Sequence, residues 1–171
     1  MIASLCEEPA VATNEPTTRN TLLTVDTLIR GTIDVPLSSV LTFVNPLLGF
    51  EHLRRFIIYQ TDTGPLYWLQ SVEDKRAAFC LLAPFKAGLD PDMQISLGDA
   101  ATIGADQVAD IEVYTIVVLD RDPALTRTNL AAPILVNHAA GLATQLVLED
   151  KKLPVRFALS SLGKARAPAK A

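Results

Sequence analysis

Glu73 and Asp74 are adjacent carboxylates, and a close pair of acids can act as general acid and general base. In an extended or turn backbone, neighbouring side chains point in different directions, so these two cannot act on the same atom of a substrate. The two histidines, His52 and His138, each lack a cysteine or a second histidine at metal-ligand spacing. The sequence therefore predicts no catalytic residues and no metal site, and we do not expect an enzyme.

The cysteines and serines also argue against covalent or cofactor chemistry. Cys6 and Cys80 do not form the pattern of a disulfide framework, and we expect both thiols to be reduced. Ser38 and Ser39 lack the small-residue elbow of a nucleophilic serine, and no glycine-rich phosphate loop occurs. No apolar run approaches the roughly 18 residues of a membrane span, and the N-terminus lacks the features of a signal peptide. We therefore expect a cytoplasmic protein that holds no cofactor and contacts no membrane.

The stretch "LYWLQSVEDKRAAF" (66–79) has apolar alternation on both sides of the charged residues 73–76. This pattern predicts a β-hairpin whose charged tip stays in solvent. Gln70 stands in an otherwise apolar alternating set, and a buried amide must find hydrogen-bond partners. Two roles stay open for it. It either ties a neighbouring strand or loop to the hairpin, which the pattern favours, or it contacts a partner protein.

Strand signals dominate the rest of the chain. The strand-like segments are "LLTVDTLI" (22–29), "TIDVPL" (32–37), "RFIIYQ" (55–60), "LYWLQSV" (66–72), "AFCLLA" (78–83), "DIEVYTIVVL" (110–119), "APILVN" (132–137) and "ATQLVLE" (143–149). The links between consecutive strands are too short for a parallel sheet, which needs connections of a dozen or more residues. The sequence predicts a mostly β fold, a small antiparallel β-barrel-like or sandwich single domain. One or two short helical turns are expected within 91–109, capped by Asp99 and Asp106.

Composition divides the chain into three parts. Residues 1–19 are rich in Pro, Thr and Glu and predict a flexible N-terminal leader, while residues 160–171 predict a flexible basic tail. The folded domain is expected at residues 20–159. Because the leader carries a charge of −2 and the tail +3, this body carries −5 of the total net charge of −4.

Acidic side chains concentrate in residues 90–122, which hold eight carboxylates and one base, Arg121. A surface of this sign repels phosphate, so direct binding of nucleic acid is not expected and a basic protein partner is favoured. An alternative stays open, in which these acids only solubilise loops and cap short helices.

Three blocks of the sequence, in their order and spacing, resemble a known family. They are "FVNPLLGFEHLRRF" (43–56), "LYWLQSVEDKRAAF" (66–79) and "TNLAAPILVN" (128–137). From about residue 22 to 159, the chain is similar to the flagellar assembly factor FliW family. It departs from the family's pattern at Ala83, where the family usually has an acid before the proline, and at Leu153, which replaces an aromatic residue.

The resemblance implies a β-barrel-like protein without catalytic activity that binds flagellin and the RNA-binding translational regulator CsrA. Free FliW captures CsrA and relieves its repression of flagellin synthesis, whereas accumulated flagellin occupies FliW and frees CsrA. We expect this chain to be a monomer when alone. We predict that its partner contacts are Gln70, Ser71 and Glu73 from the hairpin, with Asn129 and Asn137 from the third block. Two roles stay open for the third block: Asn129 and Asn137 only hydrogen-bond the turns in which they lie, which is favoured, or the segment forms a sheet edge to which a partner strand can add, which the resemblance supports.

Two other functions stay open. A β-barrel of this size can hold a flavin or a similar small ligand, with or without enzymatic activity. Few basic residues are placed to bind a cofactor phosphate, which argues against that alternative. A dedicated flagellin chaperone that does not bind the regulator would show the same sequence pattern.

Overall fold

The computed structural model describes residues 21–62 and 64–162, so the predicted leader (1–19) and most of the basic tail (160–171) lie outside the described residues. The strands and the α-helix are β1 (Leu22–Thr27), β2 (Gly31–Pro36), β3 (Leu41–Phe43), β4 (Arg55–Gln60), β5 (Leu66–Ser71), β6 (Ala78–Leu82), α1 (Leu97–Thr102), β7 (Glu112–Val118), β8 (Arg127–Thr128), β9 (Ile134–Asn137), β10 (Leu142–Gln145) and β11 (Phe157–Ala158). Short 3-10 turns span Leu37–Ser39, Val108–Asp110, Pro123–Leu125 and Leu159–Ser161.

Seven of these strands close into a barrel, in the order β7, β6, β5, β4, β3, β10, β9 and back to β7. The closing pair is antiparallel and sets Glu112 opposite Val136 and Tyr114 opposite Ile134. Strands β3 and β10 form the one parallel pair of the barrel. This pair is compatible with short links because the chain from β4 to β9 connects its two strands. The predicted mostly β, barrel-like fold is confirmed.

Strands β5 and β6 carry apolar residues in both alternating sets because both of their faces are covered. Leu69 and Leu81 point into the barrel interior, where both are fully buried. Trp68 lies opposite Cys80 on the outer face, where a second apolar cluster covers the barrel wall. A strand that is covered on both sides gains from apolar residues at every position.

Two small additions lie outside the closed barrel. Strands β1 and β2 form a separate antiparallel hairpin, and β8 and β11 extend the sheet beyond β7. The inner face of the β1–β2 hairpin carries the buried side chains of Val25 and Thr27. Its outer face exposes Asp26 and Asp34, which accept hydrogen bonds from Thr32 and Thr24 across the strands.

The segment between β6 and β7 contains the two short helical turns that the sequence predicts, α1 and the 3-10 turn Val108–Asp110, but their caps differ from the predicted ones. The only α-helix of this segment within the described residues is α1. Its N-cap residue is Ser96. The predicted cap, Asp99, takes part instead as the third helical residue, because its carboxylate accepts from the Ser96 backbone N–H in a capping box. Asp106 caps no turn, since the following 3-10 turn has Gln107 at its N-cap position without a side-chain hydrogen bond.

Candidate partner-binding site

Gln70 is fully buried on the outer side of the barrel wall, where it joins two hairpins. Its Oε1 accepts a hydrogen bond from the backbone N–H of Leu28 at 2.9 Å. Its Nε2 donates to the carbonyl oxygens of Ser71 and Lys75, each at 3.1 Å. The amide therefore ties the tip of the β1–β2 hairpin to the charged tip that follows β5, which fits the positioning role that the sequence favours.

Ser71 and Glu73 fix the shape of the charged tip. The Ser71 hydroxyl is buried and accepts from the backbone N–H groups of Glu73 at 3.0 Å and Asp74 at 3.1 Å. The Glu73 carboxylate in turn accepts from the backbone N–H groups of Arg54 at 2.7 Å and Arg55 at 3.1 Å. Partial burial alone would raise the pKa of Glu73, but the hydrogen bonds from Arg54 and Arg55 outweigh it and hold the pKa below its usual range.

Asn137 also serves the backbone rather than the surface. Its Nδ2 donates to the carbonyl oxygen of Ile103 at 3.0 Å, and its Oδ1 accepts from the Ala140 N–H at 3.2 Å. The buried side chain therefore links the end of β9 to the residue that ends α1. Asn129 is half-buried, and its Oδ1 accepts from the Ala131 N–H at 3.0 Å.

The five predicted contact residues do not form one cluster. Gln70, Ser71 and Glu73 lie together at one hairpin, but β5 and β9 are separated by two strands in one direction around the barrel and by three in the other. Gln70, Ser71 and Asn137 are buried in the protein alone, and their contacts with a partner stay predictions. Contacts through Glu73 and Asn129 stay predictions.

Of the two roles that stayed open for the third block, the open sheet edge is wrong. Strand β9 pairs with β10 on one side and with β7 on the other, because closure of the barrel uses both of its edges. Before β9, the backbone N–H of Asn129 donates to Ile116 and that of Leu130 donates to Pro154. A partner strand therefore cannot add to β9 without opening the barrel.

Other kinds of site find little support in the part of the chain that is described. There, no group of three or more His, Cys, Asp or Glu side chains converges to hold a metal ion. Burial raises the pKa of the Cys80 thiol to about 11, so this thiol stays protonated and unreactive near neutral pH. None of the helices within these residues has the length and apolar character needed to cross a membrane.

Comparison with known proteins identifies the family. A sequence model of the family described as FliW protein matches residues 24–159. The chain belongs to the FliW family of flagellar assembly factors. It is 35% identical over 137 residues to flagellar assembly factor FliW of Caldicellulosiruptor bescii, and the alignment covers 79% of this chain and 89% of that protein. It is 34% identical over 130 residues to flagellar assembly factor FliW of Syntrophus aciditrophicus, with 74% and 81% covered.

A crystal structure of the flagellar assembly factor FliW has the same fold. It superposes with a TM-score of 0.73 at 24% sequence identity and covers 80% of this chain and 96% of that one. In this chain, the first two FliW sequence blocks pack on each other, because the rings of Phe50 and Phe79 meet edge to face with centroids 4.7 Å apart. Leu153, the departure from the FliW pattern near the C-terminal end, is buried, so it fills a packing position in place of an aromatic ring.

Sequence reasoning missed a polar cluster around Glu112, at the start of β7. The Glu112 carboxylate accepts hydrogen bonds from Lys86 Nζ and from the Tyr114 hydroxyl, and it lies 3.0 Å from His138 Nε2. Partial burial alone would raise the pKa of Glu112, but the hydrogen bonds from Lys86, Tyr114 and His138 lower it to about 2. The i, i+2 spacing of Glu112 and Tyr114 on a strand places them on one face, and it is the only part of this cluster that the sequence could have shown.

We expect Glu112→Gln to destabilise this FliW protein by about 1 kcal/mol at neutral pH, a value that allows for screening of a partly exposed group. Because the folded pKa is lowered, the ionised carboxylate stabilises the fold above the unfolded pKa of about 4.3. This contribution is lost as the pH falls through the folded pKa of about 2. Urea unfolding of both proteins should therefore show a gap that shrinks from pH 5 to pH 3.

Glu149→Gln is the matched control, because Glu149 is exposed and has no ion pair among the described residues. It should leave the free energy of unfolding unchanged at every pH. A gap between wild type and Glu112→Gln that stays constant with pH would contradict the assigned role of the charge.

Proposed function

We propose that this protein is a non-enzymatic partner switch in the cytoplasm that binds flagellin and sequesters CsrA. Membership of the FliW family supports the role in flagellar assembly. The observation that supports binding of CsrA is the acidic segment 83–111, which lies between β6 and β7. There Asp90, Asp92, Asp106 and Asp110 are exposed, and none has an ion pair among the described residues.

Uncompensated carboxylates attract a basic protein and repel RNA. An RNA-binding regulator carries basic residues along its RNA path, so a negative surface placed beside that path raises the free-energy cost of RNA binding. The protein can then release the messenger without occupying the RNA site itself, which is a coupling between two sites on CsrA.

The flavin-binding alternative gains no support from the barrel. The barrel interior is filled by buried apolar side chains, among them Phe43, Phe56, Leu69, Leu81 and Ile134. A small β-barrel packed in this way has no space for a ring system at its centre. The protein therefore fits a binding role at its outer surface better than a role that encloses a ligand.

The test is a displacement assay with purified partners. The immobilised full-length protein is loaded with CsrA and then exposed to increasing flagellin, with serum albumin as the control protein. Flagellin should release CsrA in a saturable manner, whereas albumin should not. Simultaneous binding of both partners without release would refute the switch, and failure of CsrA to bind at all would leave only the flagellin half of the proposal standing.

A further inference from the structure

A pocket of about 330 Å³ lies beside β7 and β8, and its lining also includes Gln145 of β10 and the turn before β11. Arg127 of β8 lies opposite Val118 of β7 on one side and opposite Ala158 of β11 on the other. Arg156 lies in the turn that leads into β11, and it lines the same pocket as Arg127. Asn129 lines this pocket as well.

Both arginines lack a counter-charge in the part of the chain that the structure describes. Among residues 21–62 and 64–162, neither Arg127 nor Arg156 forms an ion pair, and no carboxylate lines the pocket. This is unusual for a folded body with a net charge of −5 over residues 20–159. An anion in the pocket supplies the counter-charge that both arginines lack among the described residues, and it accepts their N–H donors.

The remaining walls of the pocket define the rest of the ligand. Val118 and Val155 border it and are 50% and 61% exposed. Exposed valines beside the guanidinium groups favour an acid carried next to apolar side chains, as on a polypeptide, over a free phosphate ion. The acidic character of the body disfavours RNA as the source of the anion.

From this arrangement we infer that the Arg127–Arg156 pocket binds a carboxylate on flagellin, with apolar side chains of the same segment packed on the valines. The inference rests on the proposed function, which supplies the two candidate partners. A basic regulator is repelled by two unpaired arginines, so the pocket belongs to the flagellin side of the switch. The acidic segment 83–111 then binds CsrA and the arginine pocket binds flagellin, so the charge of each surface selects its partner.

The test compares two double variants of the full-length protein. Arg127→Gln with Arg156→Gln removes both charges of the pocket. Arg121→Gln with Lys151→Gln removes two exposed charges that do not line it. Affinities for flagellin and for CsrA are measured by calorimetry, and circular dichroism checks that each variant is folded. The pocket variant should bind flagellin about tenfold more weakly or worse, and the control variant should not. CsrA binding should stay within twofold in both.

A second measurement on the wild type keeps the test decisive if the pocket variant does not fold. The arginine Nε–Hε resonances are followed by NMR during titration with succinate and with inorganic phosphate. Saturable shifts of Arg127 and Arg156 with succinate support a carboxylate site, whereas shifts with phosphate alone, or no shifts, overturn it. Unchanged flagellin affinity of a folded pocket variant, or an equal loss for CsrA, also overturns the inference. A wild type that binds no flagellin refutes the proposed function, and the succinate titration then judges the carboxylate site separately.

Discussion

Gln70→Leu is expected to lower the free energy of unfolding by about 3 kcal/mol, although leucine fills nearly the same volume. The substitution leaves the Leu28 N–H and the carbonyl oxygens of Ser71 and Lys75 without the partner that satisfies them in the wild type. An apolar side chain cannot replace these hydrogen bonds, and the groups are partly or fully shielded from water. Urea denaturation followed by the fluorescence of Trp68 measures the loss.

Gln60→Leu provides the matched control for Gln70→Leu. Gln60 lies exposed on the neighbouring strand β4, and its side chain has no hydrogen bond within the described residues. The same chemical change there should alter the free energy of unfolding by less than about 0.5 kcal/mol. Equal stability of the two variants would show that the Gln70 amide does not hold the hairpins together.

The hairpin that contains Gln70 could be predicted because all of its signals are local. Alternation, a charged tip and a return strand stand within residues 66–79, and the structure pairs Leu66 with Leu82 and Gln70 with Ala78 as a hairpin requires. The need of the buried amide for backbone partners was also visible. Its main partner was not, because Leu28 lies 42 residues away in the sequence and no local pattern encodes that approach.

The barrel too could be predicted in its local strand pairs but not in its long-range ones. Short links between strands predicted antiparallel pairing, and most neighbouring strands do pair in that way. Closure depends on the β7–β9 pair and on the parallel β3–β10 pair, both of which join distant parts of the chain. The sequence also continued the strand of β10 to residue 149, whereas the structure ends it at Gln145. The two-residue alternation of side chains does not by itself determine which strands pair or at which residue the pairing ends.

The candidate site shows this limit most clearly. Ser71 and Glu73 lie at the same hairpin as Gln70 because they are neighbours in the chain, whereas partner contacts through these residues stay predictions. The Glu112 cluster and the arginine pocket were missed because each assembles side chains from three or more separate segments. Charged residues of this kind look like ordinary solvated positions until the fold shows which of them have a counter-charge.

The second large effect is expected from the acidic segment 83–111. Asp90→Asn, Asp106→Asn and Asp110→Asn together should weaken CsrA binding by about 10- to 30-fold at low salt, mostly through slower association. The three carboxylates are exposed and form no ion pair among the described residues, so their loss should change folding stability little. Stopped-flow association at several salt concentrations measures the effect, which should shrink as salt screens the charges.

A triple variant with the same change of net charge separates the segment from general electrostatics. Asp26→Asn and Asp34→Asn lie on the outer face of the β1–β2 hairpin, where an asparagine Oδ1 can still accept from Thr32 and Thr24. Glu149→Gln completes the control. If CsrA recognises the segment 83–111, this control should lose no more than about threefold in affinity when both triple variants are compared near physiological salt, where distant charges are largely screened. An equal loss in both triple variants would mean that CsrA responds only to net charge, and full affinity of the segment variant would remove the acidic segment from the interface.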